Sequence, residues 1–182
     1  MSITPLPIEG SYLFQSPTHE DERGYSVEWF KSATVKEFLS REFTVAQASL
    51  SKSKQGVLRG IHFSLAPLGQ AKWVTCVTGA ILDVVVDIRP KSPTFKCWDA
   101  HELRAGDGTS MFITEGLGHA YLALEENTTV TYLLSSIYLP KFERVIDPLD
   151  PDIAIAWPDI RIFLSERDAS APSLRTFLNS SD

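Results

Sequence analysis

Arg59 and His62 stand inside the apolar run Gly56-Val57-Leu58-Arg59-Gly60-Ile61-His62-Phe63, and Lys72 follows ten residues after the histidine. A titratable group set among apolar neighbours is costly unless it is paired, so these three side chains serve chemistry or an ion pair. Imidazole is the side chain best poised to take and return protons near neutral pH, and an ammonium or guanidinium beside it can hold an anion. Strict strand alternation would send Arg59 and His62 to opposite faces. Gly60 between them permits a bulge, which would bring both to one face. Four other residues are ordinary when taken alone. Tyr132 in Thr131-Tyr132-Leu133-Leu134 reads as a strand aromatic with its hydroxyl at a rim, Asp168 as a residue of a polar tail, and Asp83 and Asp87 as structural carboxylates on one strand.

The elements that must position these groups are short β-branched and aromatic runs between glycine and proline turn signals: Lys72 to Val77, Ala80 to Ile88, Gly108 to Thr114, Ala120 to Leu124 and Thr128 to Leu134. They predict a mostly antiparallel β sandwich or barrel. Thr78-Gly79 and Glu125-Glu126-Asn127 read as hairpin turns. One short helix is expected near Thr34, with Val35, Phe38 and Leu39 on one face, as a cover outside the barrel. From about residue 147 the chain becomes proline-rich and acidic, which suits an extended segment wrapping the domain.

With 182 residues, 43% of them hydrophobic, one domain over 1–182 with a substantial core is expected. The formal net charge is −6 and no lysine or arginine cluster runs along any segment, so neither nucleic acid nor an anionic membrane surface is an expected partner. Cys76 and Cys97 lack C-x-x-C spacing and do not indicate a disulfide framework. The start Met-Ser-Ile-Thr-Pro has no secretory pattern, and no run approaches the roughly 20 apolar residues of a membrane span. A soluble, cytoplasmic protein is the expectation.

Small barrels often bind a ligand in their mouth, and Thr114-Glu115-Gly116-Leu117-Gly118-His119 resembles the second cupin motif, P-x-G-x-x-H, with threonine for proline. Around His62 the sequence is His62-Phe63-Ser64, so the second histidine of the cupin H-x-H is missing. His62 and His119 alone fall short of the three or four protein ligands usual for a transition metal, and a metal-free cupin is expected. A metal-dependent cupin oxygenase or isomerase would instead carry metal when purified.

Together, Gly56 to Phe63, Gln70-Ala71-Lys72, Asp83-Val84-Val85-Val86-Asp87-Ile88-Arg89, Ser92-Pro93-Thr94-Phe95 and Glu115 to His119 resemble the RmlC family, the dTDP-4-dehydrorhamnose 3,5-epimerases. The resemblance runs from about Asp21 to Ala169. It implies an all-β, cupin-type jelly-roll barrel with a few short helices, and a homodimer in which N-terminal strands cross to the partner. It implies no cofactor. The implied substrate is a dTDP-linked 4-keto-6-deoxyhexose, inverted at carbons flanking its 4-keto group.

By the same resemblance His62 matches the base, Asp168 the carboxylate that orients it, Lys72 the cation near the developing oxyanion, and Tyr132 the acid on the far face of the ring. A neighbouring cation is expected to lower that phenol from its usual pKa of about 10. Arg23, Arg59, Lys72, His119 and Arg167 match positions that hold the diphosphate or adjoining sugar. Glu28 and Gln47 match contacts near the nucleotide and sugar hydroxyls, Tyr138 the aromatic stacked on thymine, and Glu143 a further polar contact. Ser49 departs from the family, which has asparagine there, and a hydroxyl cannot supply both a carbonyl acceptor and an amide donor. That change, with Thr114 and Gly118 where proline and alanine are common, leaves a monoepimerase acting at C3 or C5 alone as an alternative. A cupin that binds a sugar nucleotide without catalysis is another, although it would need phosphate cations and no matched base and acid.

Overall fold

Residues 1–65 and 69–180 are described by a computed structural model, in which short β-branched and aromatic stretches bounded by glycine turns form the strands. These are β1 (Ser2–Pro5), β2 (Ser11–Gln15), β3 (Thr18–Asp21), β4 (Gly24–Val27) and, after helix α1 (Ser32–Leu39), β5 (Gln47–Ser53) and β6 (Leu58–Ser64). Then come β7 (Lys72–Thr78), β8 (Ala80–Val86), β9 (Trp98–Arg104), β10 (Thr109–Ile113), β11 (Gly118–Ala123), β12 (Thr128–Leu134) and β13 (Glu143–Val145). Helices α2 (Glu166–Ala169) and α3 (Leu174–Asn179) close the chain.

Two antiparallel sheets face one another as a cupin-like jelly roll. One runs β1-β2-β10-β7-β12-β5 and the other β13-β6-β11-β8-β9, while β3 and β4 form a separate hairpin. Val74, Met111 and Val130 of the first sheet meet Ile81, Val85, Leu103 and Tyr121 of the second in the barrel interior. The outer face of the six-stranded sheet is covered too: Trp73, Phe14 and Phe112 pack with Val35 of α1 and with Phe43. On the five-stranded sheet, Ile61, Phe63, Val84, Val86 and Ala120 lie under Ile146, Ile153 and Leu174 of the C-terminal segment. That segment packs across the outer face of this sheet. The central strand β11 is covered on both faces, and all six of its residues are buried, so it shows no alternation of buried and exposed positions.

The expected helix is α1. Val35 is fully buried and Leu39 packs beside it, whereas Phe38 is 40% exposed and meets Tyr12 and Phe14 edge-on. The two expected hairpins are not hairpins. β7 pairs with β10 and β12, and β8 with β9 and β11, so Thr78-Gly79 carries the chain from one sheet to the other. Glu125-Glu126-Asn127 does the same between β11 and β12. A corner between facing sheets uses the same short positive-φ turn as a hairpin, here at Gly79 (φ +74°) and Asn127 (φ +57°), so turn chemistry alone does not separate them.

Candidate functional site

One register shift sets up the site. His119 of β11 pairs with His62 of β6, but Tyr121 pairs with Arg59, so β6 carries one residue more than β11 over this stretch. The extra residue falls at Gly60, whose backbone φ is +134° and where a Cβ would collide with Ala120. Only glycine fits there. Ile61 and Phe63 then point outward beneath the C-terminal segment, and Arg59 and His62 both line a cavity of about 380 Å³.

Gln47, Ser49 and Ser51 of β5, Lys72 of β7 and Tyr132 of β12 line the same cavity from the six-stranded sheet. Glu143 of β13, Tyr138 and Arg167 complete the expected lining, with Gln70, Leu50 and Leu134. A neighbouring groove of about 540 Å³ shares Glu143 and Arg167.

His62 Nε2 lies 2.6 Å from Asp168 Oδ1. Asp168 is 3% exposed and is fixed at the start of α2, where its backbone N–H donates to Ser165 Oγ and the Ser165 hydroxyl donates to its second oxygen at 2.9 Å. Burial pushes this carboxyl up, but the His62 hydrogen bond and charge, the Ser165 hydroxyl and Arg167 outweigh it and hold it below its ordinary value. An ionised Asp168 can only accept, so Nε2 carries the proton and Nδ1 is left as the basic nitrogen.

Lys72 is 8% exposed, and its ammonium donates to the His62 carbonyl at 3.2 Å. Burial pushes its pKa down to about 8, offset in part by the carboxylates of Glu143 and Asp83. Gln47 donates to Ser49 Oγ at 2.8 Å and accepts from the Tyr138 backbone N–H at 2.7 Å, which ties three of the lining residues together.

The Tyr132 phenol departs from expectation. Burial, together with Tyr121 and the Asp83 charge, raises it well above its ordinary value, so no cation lowers it. Taking a phenolate out of water costs more here than the Ser51 hydrogen bond returns.

Besides Asp168, which lies behind His62, three residues carried over by resemblance do not line this cavity. Arg23, at the tip of the β3–β4 hairpin, has a side chain 89% exposed and paired to Asp21. Glu28, 78% exposed, pairs with Lys31. His119 is buried, its Nε2 2.6 Å from Asp83 Oδ1. Burial lowers the His119 imidazole against the opposing pull of Asp83. Asp87 is structural as expected, accepting from Arg89, Ser92 and Thr94, whereas Asp83 is a neighbour of the site whose place the alternation on β8 did not distinguish. Ser51, Tyr121 and Ser165 were also missed. Among the described residues, no three His, Cys, Asp or Glu side chains gather as metal ligands, and no helix is long and apolar enough to cross a membrane.

Comparison with known proteins places this geometry in a family. The family model described as dTDP-4-dehydrorhamnose 3,5-epimerase matches residues 5–176. The dTDP-4-dehydrorhamnose 3,5-epimerase of Mycolicibacterium smegmatis is 48% identical over 175 residues, 96% of this chain and 86% of the relative. The crystal structure of the Mycobacterium tuberculosis rmlC epimerase superimposes with a TM-score of 0.96 at 41% identity, covering 100% of this chain and 92% of that one. ChmJ, a 3'-monoepimerase from Streptomyces bikiniensis solved in complex with dTDP-quinovose, gives 0.94 at 46% identity, covering 97% and 90%.

Proposed function

Because the chain belongs to the dTDP-4-dehydrorhamnose 3,5-epimerase family, we propose that it converts dTDP-4-keto-6-deoxyglucose to dTDP-4-keto-L-rhamnose, inverting C5 and C3. The observation that carries this reading is the origin of the two proton-handling groups. His62 enters the cavity from the five-stranded sheet and Tyr132 from the six-stranded sheet that faces it. A base and an acid on opposing walls are what inversion requires.

His62 Nδ1 takes the proton from the carbon beside the 4-keto group, and the bonding pair moves through the new C=C bond onto the keto oxygen. Asp168 stabilises the imidazolium so formed. The Lys72 ammonium stabilises the enolate oxygen. The Tyr132 hydroxyl then gives its proton to the opposite face of the same carbon, and the enolate pair forms the new C–H bond. A phenol raised by burial keeps its proton until such a carbanion is presented. Arg59 and Arg167 hold the diphosphate, as the planar guanidinium suits bidentate contact with phosphate oxygens. Tyr138 stacks on the thymine, and Gln47, Ser49 and Glu143 hold polar groups of the sugar nucleotide.

The enzyme is proposed to act in the cytoplasm as a homodimer. A dimer accounts for Arg23 and Glu28, which turn away from their own chain's cavity and reach the substrate by serving the partner's. A 3-monoepimerase is the second reading, favoured by the likeness to ChmJ and by Ser49 where the family has asparagine.

His62→Ala tests the mechanism: turnover is lost while dTDP binding stays near wild type, and full activity in that variant overturns the base assignment. Tyr132→Phe retains exchange of the sugar C–H with solvent but loses inversion. Equal loss of both overturns the acid assignment.

A further inference from the structure

Behind Tyr132 an unbroken line of hydrogen bonds runs across the barrel. Tyr132 Oη lies 3.1 Å from Ser51 Oγ, Ser51 Oγ 2.9 Å from Tyr121 Oη, and Tyr121 Oη 3.0 Å from Ser53 Oγ. Arg59 Nε donates to Ser53 Oγ at 3.2 Å. The members come from β12, β5, β11 and β6, so both sheets contribute. Tyr121 is 1% exposed and Ser53 5%, and a polar chain this well buried is held only if each donor is satisfied.

Each hydroxyl–hydroxyl contact can run in either direction, and the last member favours one. A guanidinium has no acceptor, so Ser53 accepts from Arg59, and the Ser53 proton goes to its other partner, Tyr121 Oη. The Tyr121 proton then goes to Ser51, and the Ser51 proton to Tyr132 Oη. Tyr132 accepts from this chain, and its own proton is left to point into the cavity that its side chain lines.

We propose that Ser51, Tyr121, Ser53 and Arg59 form a one-way donor chain that sets the rotor of the Tyr132 hydroxyl and aims its proton at the substrate, with Ser51 stabilising the phenolate left behind. With the chain running the other way, the Tyr132 hydroxyl would donate to Ser51 and would present a lone pair to the sugar, the wrong polarity for an acid. When Tyr132 gives up its proton, the O–H pair stays on the phenolate oxygen, which accepts from Ser51, while each hydroxyl behind keeps its own proton. Hydrogen bonds aligned in one direction polarise one another, and the Arg59 charge lies at the donor end. No proton leaves the chain; before each further inversion Tyr132 takes a proton back from water and His62 releases the one it took. Tyr121, Ser51 and Ser53 are therefore positioning residues that act through Tyr132.

This inference rests on Tyr132 being the acid, and its test separates the two claims. Deuterium exchange and inversion are measured for Tyr121→Phe, Ser51→Ala, Ser51→Thr and Tyr132→Phe with dTDP-4-keto-6-deoxyglucose in D₂O. Ser51→Ala, which loses the hydrogen bond to the charged oxygen, lowers the ratio of inversion to exchange by about tenfold or more, and Tyr121→Phe, which frees the Ser51 rotor, lowers it in the same direction. Ser51→Thr, which keeps the hydroxyl, restores the ratio. A wild-type ratio in both Tyr121→Phe and Ser51→Ala, with inversion lost in Tyr132→Phe, overturns the chain alone. Full inversion in Tyr132→Phe overturns the acid assignment and the chain with it. Equal decline of exchange and inversion, unrescued by threonine, means the chain is only structural. Should Tyr121→Phe fail to fold, the Ser51 pair gives the same reading.

Discussion

Replacing Asp168 with asparagine removes one charge and almost no volume, and the structure assigns that charge a single task. The carboxylate lies 2.6 Å from His62 Nε2, is 3% exposed, and is anchored by Ser165 on its other oxygen. A hydrogen bond to a charged partner contributes about 1.5–3 kcal/mol, and short, buried, charge-assisted geometry belongs in the upper half of that range. At 1.4 kcal/mol per decade, a loss of about 2–3 kcal/mol in stabilising the imidazolium slows proton abstraction roughly 30- to 150-fold. The asparagine amide can also donate to Nε2, which turns the imidazole to the wrong tautomer and adds to the loss. The assay is the rate of deuterium incorporation from D₂O into the bound keto sugar, followed by proton NMR, alongside calorimetric titration with dTDP. Exchange falls by the stated factor and dTDP affinity stays within about twofold, a change of under half a kcal/mol. Wild-type exchange in Asp168→Asn refutes the role of the dyad; parallel loss of exchange and nucleotide binding shows that Asp168 only holds the C-terminal segment in place.

Lys72, with its pKa held down to about 8 by burial, loses its charge as pH rises through that value, so kcat/KM falls on the alkaline side. The neutral amine cannot stabilise an enolate, and the raised Tyr132 phenol is not the source of that limb. Lys72→Arg removes the limb and Lys72→Met lowers kcat by about 10²-fold or more; an unchanged limb in Lys72→Arg would assign it elsewhere. Asp87→Asn, which strips a fully buried carboxylate from Arg89, Ser92 and Thr94, destabilises the fold by about 2–4 kcal/mol at pH 7. Burial raises this carboxyl, but the guanidinium and hydroxyls outweigh it and hold it well below the usual range. Its stabilisation is therefore present above the unfolded value near about 4 and fades as pH falls further, so urea unfolding curves of variant and wild type converge in acid. Equal stability at pH 7 would contradict this. Ser49→Asn shifts the product ratio toward double epimerisation, read by NMR of the products; an unchanged ratio would show that Ser49 is neutral.

The site was legible where an ionisable group interrupts an apolar strand. Arg59, His62 and Lys72 stand out in this way, and Gly60 between the first two announced the bulge that the register shift bears out. Tyr132 and Asp168 needed the resemblance, because a strand tyrosine and an acidic residue near a helix start are common in structural roles. On β5 only Gln47 and Ser49 were reached, through the resemblance: Gln47, Ser49, Ser51 and Ser53 recur at every second position, a pattern that reads as a solvent face, and the first three line a polar cavity. β9 was missed since Asp99, His101, Glu102 and Arg104 give an edge strand little apolar signal. The corners after β7 and β11 were taken for hairpins because which sheet a strand joins depends on partners far away in the chain. The N-terminal hairpin is the remaining gap, as the spacing of Arg23 and Glu28 gives no sign that both lie outside this cavity.

Proton NMR of dTDP-4-keto-6-deoxyglucose incubated with the wild-type protein in D₂O, with C3 and C5 followed separately, tests the proposed activity most directly. Deuterium at both carbons with an inverted product is the predicted result. Label at C3 alone contradicts the double epimerisation and establishes the 3-monoepimerase, while no exchange at either carbon contradicts the assignment of His62 and Tyr132 as a working acid–base pair on this sugar.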